Sequence, residues 1–471
     1  MIFEHLSERP MKSLSIACVV VSLGGGLDAQ QIPAVRPLGP TVATAGEELG
    51  PVVVARHLPS GVLVNDIQNR RLLLFDSTLK SMTVVADTTE ATANAYSGRI
   101  GGLIAYRADS SLFVDPQSMS MLVIDPMGKV QRVMSVPRSQ DAIALGNNAF
   151  GTPALDASGR LVYRGFPRPA FRGGGGRRGN PDRPQSTAAG PEGFTPPDIP
   201  DSTAVMRIDL TSRQVDTVAF MKIPKIKFDV QRDDNGRVNI TSMANPLPTV
   251  DDFAVLSDGS IAIVRGRDYH VDFIRPDGSM YSAPKIPFEW RRLTDEDKVA
   301  FIDSVKAARE RLAANAPTPV IAERPTQGAD GARGGDRGGA RGNDGPPGEV
   351  RVFIGGDGGG PGPGGRGGAG GFGRGQFNFV PASELPDYQP TFFAGAVRAD
   401  ANGNLWVRTI PTKATSGGLI YDVIDGKGLL VDRVQVPRDR VIVGFGPGNT
   451  VYLLARDANA STSRLERARI R

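Results

Sequence analysis

Apolar residues recur along the chain in short runs, and six pairs of runs share one layout: an apolar strand, a brief turn, then a second apolar strand. The pairs are 52–55 with 62–64, 103–106 with 112–114, 153–155 with 161–163, 253–256 with 261–264, 396–397 with 405–407, and 441–443 with 451–454. The turns centre on Gly61, Ser110, Gly159, Gly259, Gly403 and Gly448. Three of their intervals are about 45 to 50 residues, and the two longer ones hold evident insertions. Asp258-Gly259 and Asn402-Gly403 between apolar strands predict tight two-residue hairpins, because these residue types tolerate positive φ. Further strands follow in each unit, such as 72–75 and 83–85 in the first, 121–124 and 130–133 in the second, and 271–274 in the fourth.

Units of four short strands at this spacing predict an all-β fold, a six-bladed β-propeller in which each blade buries its faces only against its neighbours. A pair of β-sandwich domains is the competing arrangement, but six similar units divide awkwardly between two sandwiches.

Two insertions interrupt the repeat. Residues 166–200, in blade three, hold four consecutive glycines (173–176), Arg177-Arg178 and many prolines. Residues 290–390 begin with a helix expected over 294–314: Thr294 is its N-cap, Asp297 lies three residues on, and Val299, Ile302, Val305, Ala308 and Leu312 share a face. A low-complexity Gly/Arg/Pro tract follows over 326–377, with 23 Gly among residues 328–375. Such a tract cannot bury enough apolar surface to offset its ordering entropy and is expected to be disordered, with 350–354 as a transient strand. In a propeller the loop from second to third strand and the link to the next blade lie on one face. Both insertions therefore overhang the same face, the one expected to bind.

Near the amino end, Met11-Lys12 precedes an apolar run over 14–23 and then small residues to Ala29. This is the pattern of a secretory signal peptide cut after Ala29, with Met11 as an alternative start because Glu4, Glu8 and Arg9 precede it. The run is too short to span a bilayer, which takes about 20 residues, and a lipoprotein reading at Cys18 fits its spacing poorly. The expected product is an exported chain over 30–471, secreted or periplasmic, without membrane span and monomeric. Its one Cys would leave with the signal, so neither disulfides nor a Cys-ligated metal are available, and three His exclude the usual multi-His zinc sites.

The segment 400–408, Asp-Ala-Asn-Gly-Asn-Leu-Trp-Val-Arg, is preceded by Pro386-Asp387-Tyr388-Gln389-Pro390. Together they resemble the fifth-blade signature of secreted bacterial six-bladed β-propeller proteins, relatives of the NHL-repeat propellers. The charged helix after blade four and the closing strand 451–454 are similar to that group as well. The resemblance implies the fold over nearly all of the mature chain outside the Gly-rich tracts, and it implies no fixed catalytic set.

Candidate chemistry sits where second strands end. Asp66, Asp115, Arg164 and Arg408 lie five residues past their turns, with Arg265 and Arg456 one and three residues displaced. In register, they would form an electrostatic collar at the channel mouth, four basic against two acidic, suited to an anionic ligand that Arg grips bidentately. The bland reading is a set of solvated strand ends. His270, between Asp268 and Asp272, is the one candidate general base, whereas His57 belongs to a first strand and reads as structural. Asp66, Asp115, Asp251 and Asp252 are the oxygen donors that could gather calcium, although the nearby Arg residues oppose a dication and no metal site is assigned. The net charge of +5 is too weak for a dedicated nucleic-acid binder, and the RGG triplets at 333, 337 and 366 read as solvated spacer. These features predict a recognition module for a small anionic molecule, a glycan or a protein or peptide partner, with no catalysis recognisable. The alternative is a metal-dependent lactonase-like hydrolase at the same face.

Overall fold

Four-stranded antiparallel sheets follow one another along the computed structural model, which describes residues 31–147, 150–167, 199–225, 227–232, 238–314, 378–413, 417–456 and 462–470. Sheet one comprises Val53–Leu58, Gly61–Asp66, Arg71–Asp76 and Met82–Ala86, and sheet two Gly102–Ala105, Ser111–Asp115, Ser120–Ile124 and Val130–Ser135. Sheet three comprises Ala154–Leu155, Leu161–Arg164, Ser202–Ile208 and Val215–Lys222, and sheet four Asp252–Val255, Ile261–Arg265, His270–Ile274 and Met280–Ser282. Sheet five takes Phe392–Ala399, Leu405–Thr409, Ile420–Ile424 and Leu430–Gln435. Sheet six takes Arg440–Gly446, Thr450–Arg456 and Ser463–Arg469.

The core explains why second strands are apolar at nearly every position: both of their faces are covered. Leu63 and Leu72 pack against Phe113 and Leu122 between sheets one and two, and Leu112 and Val114 meet Leu161 and Tyr163 between two and three. Val162 and Val205 meet Phe253 and Ile263, and Val271 and Phe273 meet Val397 and Val407. Trp406 and Tyr421 meet Val451 and Leu453, and Tyr452 and Leu454 return to Val64 and Phe75 of sheet one. Six apolar interfaces thus close into a ring, with first strands innermost, and the fold is a β-propeller.

Ring closure uses residues whose role the sequence pattern did not reveal. Thr41–Thr44 supplies the outer strand of sheet six, antiparallel to Ser463–Arg469, and Val35–Pro37 adds a fifth, parallel strand to sheet five. The innermost strands of sheets six and one approach so closely that a Cβ on Gly444 would lie 2.1 Å from the Ala55 carbonyl oxygen.

The turns differ from the two-residue hairpins expected. At 256–260 and 400–404 three residues intervene, and only the third, Gly259 or Gly403, has positive φ. At 400–404 the preceding carboxylate favours this form by capping the turn: Asp400 Oδ1 accepts the N–H groups of Asn402 and Asn404 at 2.8 and 2.9 Å. Asp125, Asp156 and Asp425 repeat the arrangement.

A small seventh sheet, absent from the sequence-based expectation, joins the hairpin Lys227–Arg232/Val238–Ala244 to Asn378–Phe379. The helix Asp295–Ala314 packs beside it through Phe301 and Ile302 against Val380 and Leu385. Thr294 and Asp297 form the expected reciprocal cap, Asp297 N–H to Thr294 Oγ1 at 3.2 Å and Thr294 N–H to Asp297 Oδ2 at 3.1 Å. The buried face keeps Ile302 of the one the spacing indicated but is turned from it, since Val299 is 49% exposed while Lys298 is buried against Asp387. The signal segment, the glycine tract and most of 166–200 lie outside the described residues.

Candidate functional site

The collar residues divide into three groups. Asp66 and Asp115 are buried and spend their oxygens on the chain itself. Asp66 accepts N–H of Gly50 at 3.1 Å, Asn69 Nδ2 at 2.8 Å and Arg71 Nη2 at 2.9 Å. Asp115 accepts N–H of Ser97 and of Gln117, each at 3.0 Å, together with the Ser97 hydroxyl. Each latches the entering link to the end of its second strand. In sheet four the link supplies the acid: Asp251 accepts Gly266 N–H at 3.1 Å and Arg265 Nη1 at 2.8 Å.

Arg265 also bonds Asp272 at 2.7 Å, and Asp272 reaches His270 Nε2 at 3.2 Å. Asp268 holds His270 Nδ1 at 2.9 Å. Both ring nitrogens are therefore occupied, and a general-base role would require one contact to break first. His57 is held by Tyr452, its Nδ1 lying 2.9 Å from the hydroxyl, in keeping with a structural part. Arg456 is exposed, and its backbone N–H bonds the Asp439 carbonyl.

Arg164 and Arg408 behave differently, and the structure joins to them a residue the sequence reading missed, Arg398. Arg164 ends the second strand of sheet three, is 7% exposed, and stacks over the Phe150 ring at 4.4 Å. Its Nε is buried without a hydrogen-bond partner. Arg398 lies on the innermost strand of sheet five, and Arg408 on the second strand beside it. Between Phe392↔Thr409 and Val397↔Val407 the inner strand bulges around Gly395 at φ 76, across from Arg408. Asp252, 2% exposed on the innermost strand of sheet four, faces this group and accepts N–H of Phe253 at 2.9 Å and of Val397 at 3.0 Å.

The electrostatics follow from that enclosure. Burial raises the Asp252 carboxyl to about 6, against the pull of the two backbone N–H groups and Arg164. Burial lowers Arg164 to about 10, with Asp252 opposing. Desolvation lowers Arg398 too, and Arg408 adds to the shift while Tyr421 and Asp252 oppose it. Two guanidinium groups, Arg164 and Arg398, thus share one carboxyl that ionises reluctantly, Arg408 adds its charge beside Arg398, and none of the three makes an ion pair among the described residues. Arg398 was legible in one respect, as a lone charge between Val397 and Ala399 on an otherwise apolar strand.

Among the described residues no three His, Cys, Asp or Glu side chains come together as a metal would require. Asp66, Asp115, Asp251 and Asp252 each direct oxygens at separate backbone amides. As placed they do not fit a calcium ion.

No family model matches the chain, and no curated protein matches it. Solved structures give remote likenesses. One is a gluconolactonase of Xanthomonas campestris, 12% identical over 92% of this chain and 99% of that one, with a TM-score of 0.25. A second is regucalcin, a calcium-binding protein of Agrobacterium tumefaciens, 10% identical over 93% and 98%, at 0.29. A third is a streptogramin B lyase, 8% identical over 93% and 87%, at 0.30. At these scores the likenesses carry no argument of their own, and the propeller is read from the sheet order and the closed ring of interfaces.

Proposed function

We propose that the protein is an exported six-bladed β-propeller that recognises a small anionic molecule, or an anionic group on a glycan or peptide, at its channel. The observation that carries this reading is the pair Arg164 and Arg398 set against the buried carboxyl of Asp252, with Arg408 beside Arg398 and the Arg164 Nε unpartnered. A buried guanidinium without a partner is costly, and an incoming carboxylate, sulfate or phosphate offsets that cost through charge-assisted, bidentate hydrogen bonds. Export is supported by the apolar run over 14–23 and by the expected absence of Cys from the mature chain.

The hydrolase reading has less support. The four candidate carboxylates are engaged separately as latches or interface caps, and the one candidate base is held at both nitrogens.

Calorimetric titration with sulfate, citrate and galacturonate tests the proposal. Binding should weaken at least tenfold in Arg398→Gln and in Arg408→Gln. Unchanged affinity in the double variant would place the anion elsewhere and overturn it.

A further inference from the structure

From Phe392, whose strand partner Thr409 follows Arg408, a continuous series of aromatic rings runs outward. Phe392, at the start of the innermost strand of sheet five, lies 6.2 Å from Tyr269. Tyr269 meets Phe288 edge-on at 5.5 Å, Phe288 meets Trp290 at 5.4 Å, and Trp290 meets Tyr388 at 6.5 Å. The series starts buried and ends exposed: Phe392 and Tyr269 are inaccessible, whereas Trp290 is 41% and Tyr388 51% exposed. Phe393, on the bulge across from Arg408, is 36% exposed. The platform is built rather than incidental. The segments 291–293 and 387–389 pair as a ribbon, with Leu293 N–H to the Asp387 carbonyl at 2.8 Å and Gln389 N–H to the Arg291 carbonyl at 2.9 Å. Gln389 Nε2 then ties this ribbon to the carbonyls of Ile410 and Pro411, just past the end of the Arg408 strand.

We infer that this face binds an acidic oligosaccharide, with a sugar ring against Trp290 and Tyr388 and a carboxylate of the same chain at the Arg trio. The inference rests on the anion reading above and adds the ligand class. Trp290 and Tyr388 stand nearly perpendicular, at 88°, so they form a corner with one ring as floor and the other as wall. A pyranose presents an apolar C–H face and a hydroxylated edge, which match a flat aromatic floor and a polar-tipped wall. The aromatic corner and the Arg trio share no residue, so a monosaccharide engages one of them at a time and an oligomer engages both. Charge complementarity selects an acidic oligomer over a neutral one, because the exposed Phe393 sits on the bulge across from Arg408.

The test compares trigalacturonate, galacturonic acid, maltotriose and pentaglutamate by calorimetry against the full chain. The trimer should bind at least tenfold more tightly than the monomer, with maltotriose and pentaglutamate weaker than the trimer by a similar factor. Trp290→Ala should remove the trimer's advantage while leaving monomer and sulfate affinity unchanged, and an unaltered melting temperature would exclude misfolding. A second readout uses the two tryptophans. Trp406 is buried, so protection from acrylamide quenching on adding trimer reports Trp290. Equal binding of trimer and monomer, with sulfate still lost in Arg408→Gln, would overturn this inference and leave the anion reading standing. Pentaglutamate matching the trimer, with Trp290→Ala silent, would overturn it in favour of a peptide ligand. Loss-free binding in Arg408→Gln, or no binding of sulfate or galacturonate at all, would overturn both.

Discussion

Val397 donates its backbone N–H to Oδ2 of Asp252 at 3.0 Å across the junction of sheets four and five. Val397 lies on the innermost, edge strand of sheet five, and a buried carboxyl from the neighbouring sheet takes its amide. The same carboxyl opposes the charge of Arg164 and, together with Tyr421, that of Arg398. One side chain therefore joins two sheets and sets the charge of the candidate site.

Anion affinity should rise as pH falls through about 6. Protonation of Asp252 removes the negative charge that faces Arg164 and Arg398. Sulfate, which stays ionised throughout, should bind more tightly at pH 5 than at pH 7. In Asp252→Asn the affinity should be high and flat over this range, as calorimetry at several pH values would show.

Stability should move with pH for the same reason. The Asp252 carboxyl titrates at about 6 when folded against an ordinary 3.8, so between these values the folded state holds the extra proton. Its contribution to stability is largest below 3.8, declines as pH rises, and is lost above about 6, a swing on the order of 3 kcal/mol. Asp252→Asn should flatten the urea-unfolding free energy between pH 4 and 7 by about that amount.

The turn carboxylates act with the opposite sign. Asp125 is held below its ordinary value first by the Lys129 N–H, Asp209 first by the Ser212 N–H, and Asp277 first by the Ser279 hydroxyl. Their stabilisation is complete above the ordinary carboxylate value and is lost as pH falls through the folded values. Acid unfolding should therefore set in below about pH 4. Asp125→Asn should blunt it.

The latches are structural. Asp66→Ala leaves the Gly50 amide and Arg71 without their shared acceptor and should cost roughly 3 kcal/mol by denaturant titration. Sulfate affinity should stay as it is, because Asp66 is turned into the chain. A loss of binding at full stability would return Asp66 to the site.

Ring closure is similarly exposed to a single atom. Gly444→Ala drives a Cβ to within 2.1 Å of the Ala55 carbonyl. The expected result is a lower melting temperature, with a loss of several kcal/mol as the sixth and first sheets part.

Strands were legible because second strands, covered on both faces, read as unbroken apolar runs such as Leu72-Leu73-Leu74 and Leu453-Leu454. The segment Thr41–Thr44 was not, because only one of its four residues, Val42, is strongly apolar, and its partner lies at the opposite end of the chain. The hairpin Lys227–Arg232/Val238–Ala244 was hidden by its charged residues. For the site, charges recur at strand ends in the sequence, but sequence position does not show where a side chain turns. Asp66 turns inward to an amide, while Arg408 faces a bulge that only register shifts create. Arg398 stands outside the repeat pattern, so counting from the turns passed over it.

The strand Thr41–Thr44 gives the propeller an order of events as well as a closure. Thr41 and Glu466, which share a hydrogen bond, are 425 residues apart. The edge of sheet six therefore stays open until almost the whole chain is in place, and a strand made near the start of the chain is among the last to find a partner. A chain stopped short of Ser463–Arg469 would carry most of its core and still leave Thr41–Thr44 unpaired, and such a fragment would be recognisable to a protease or a second copy by that free edge.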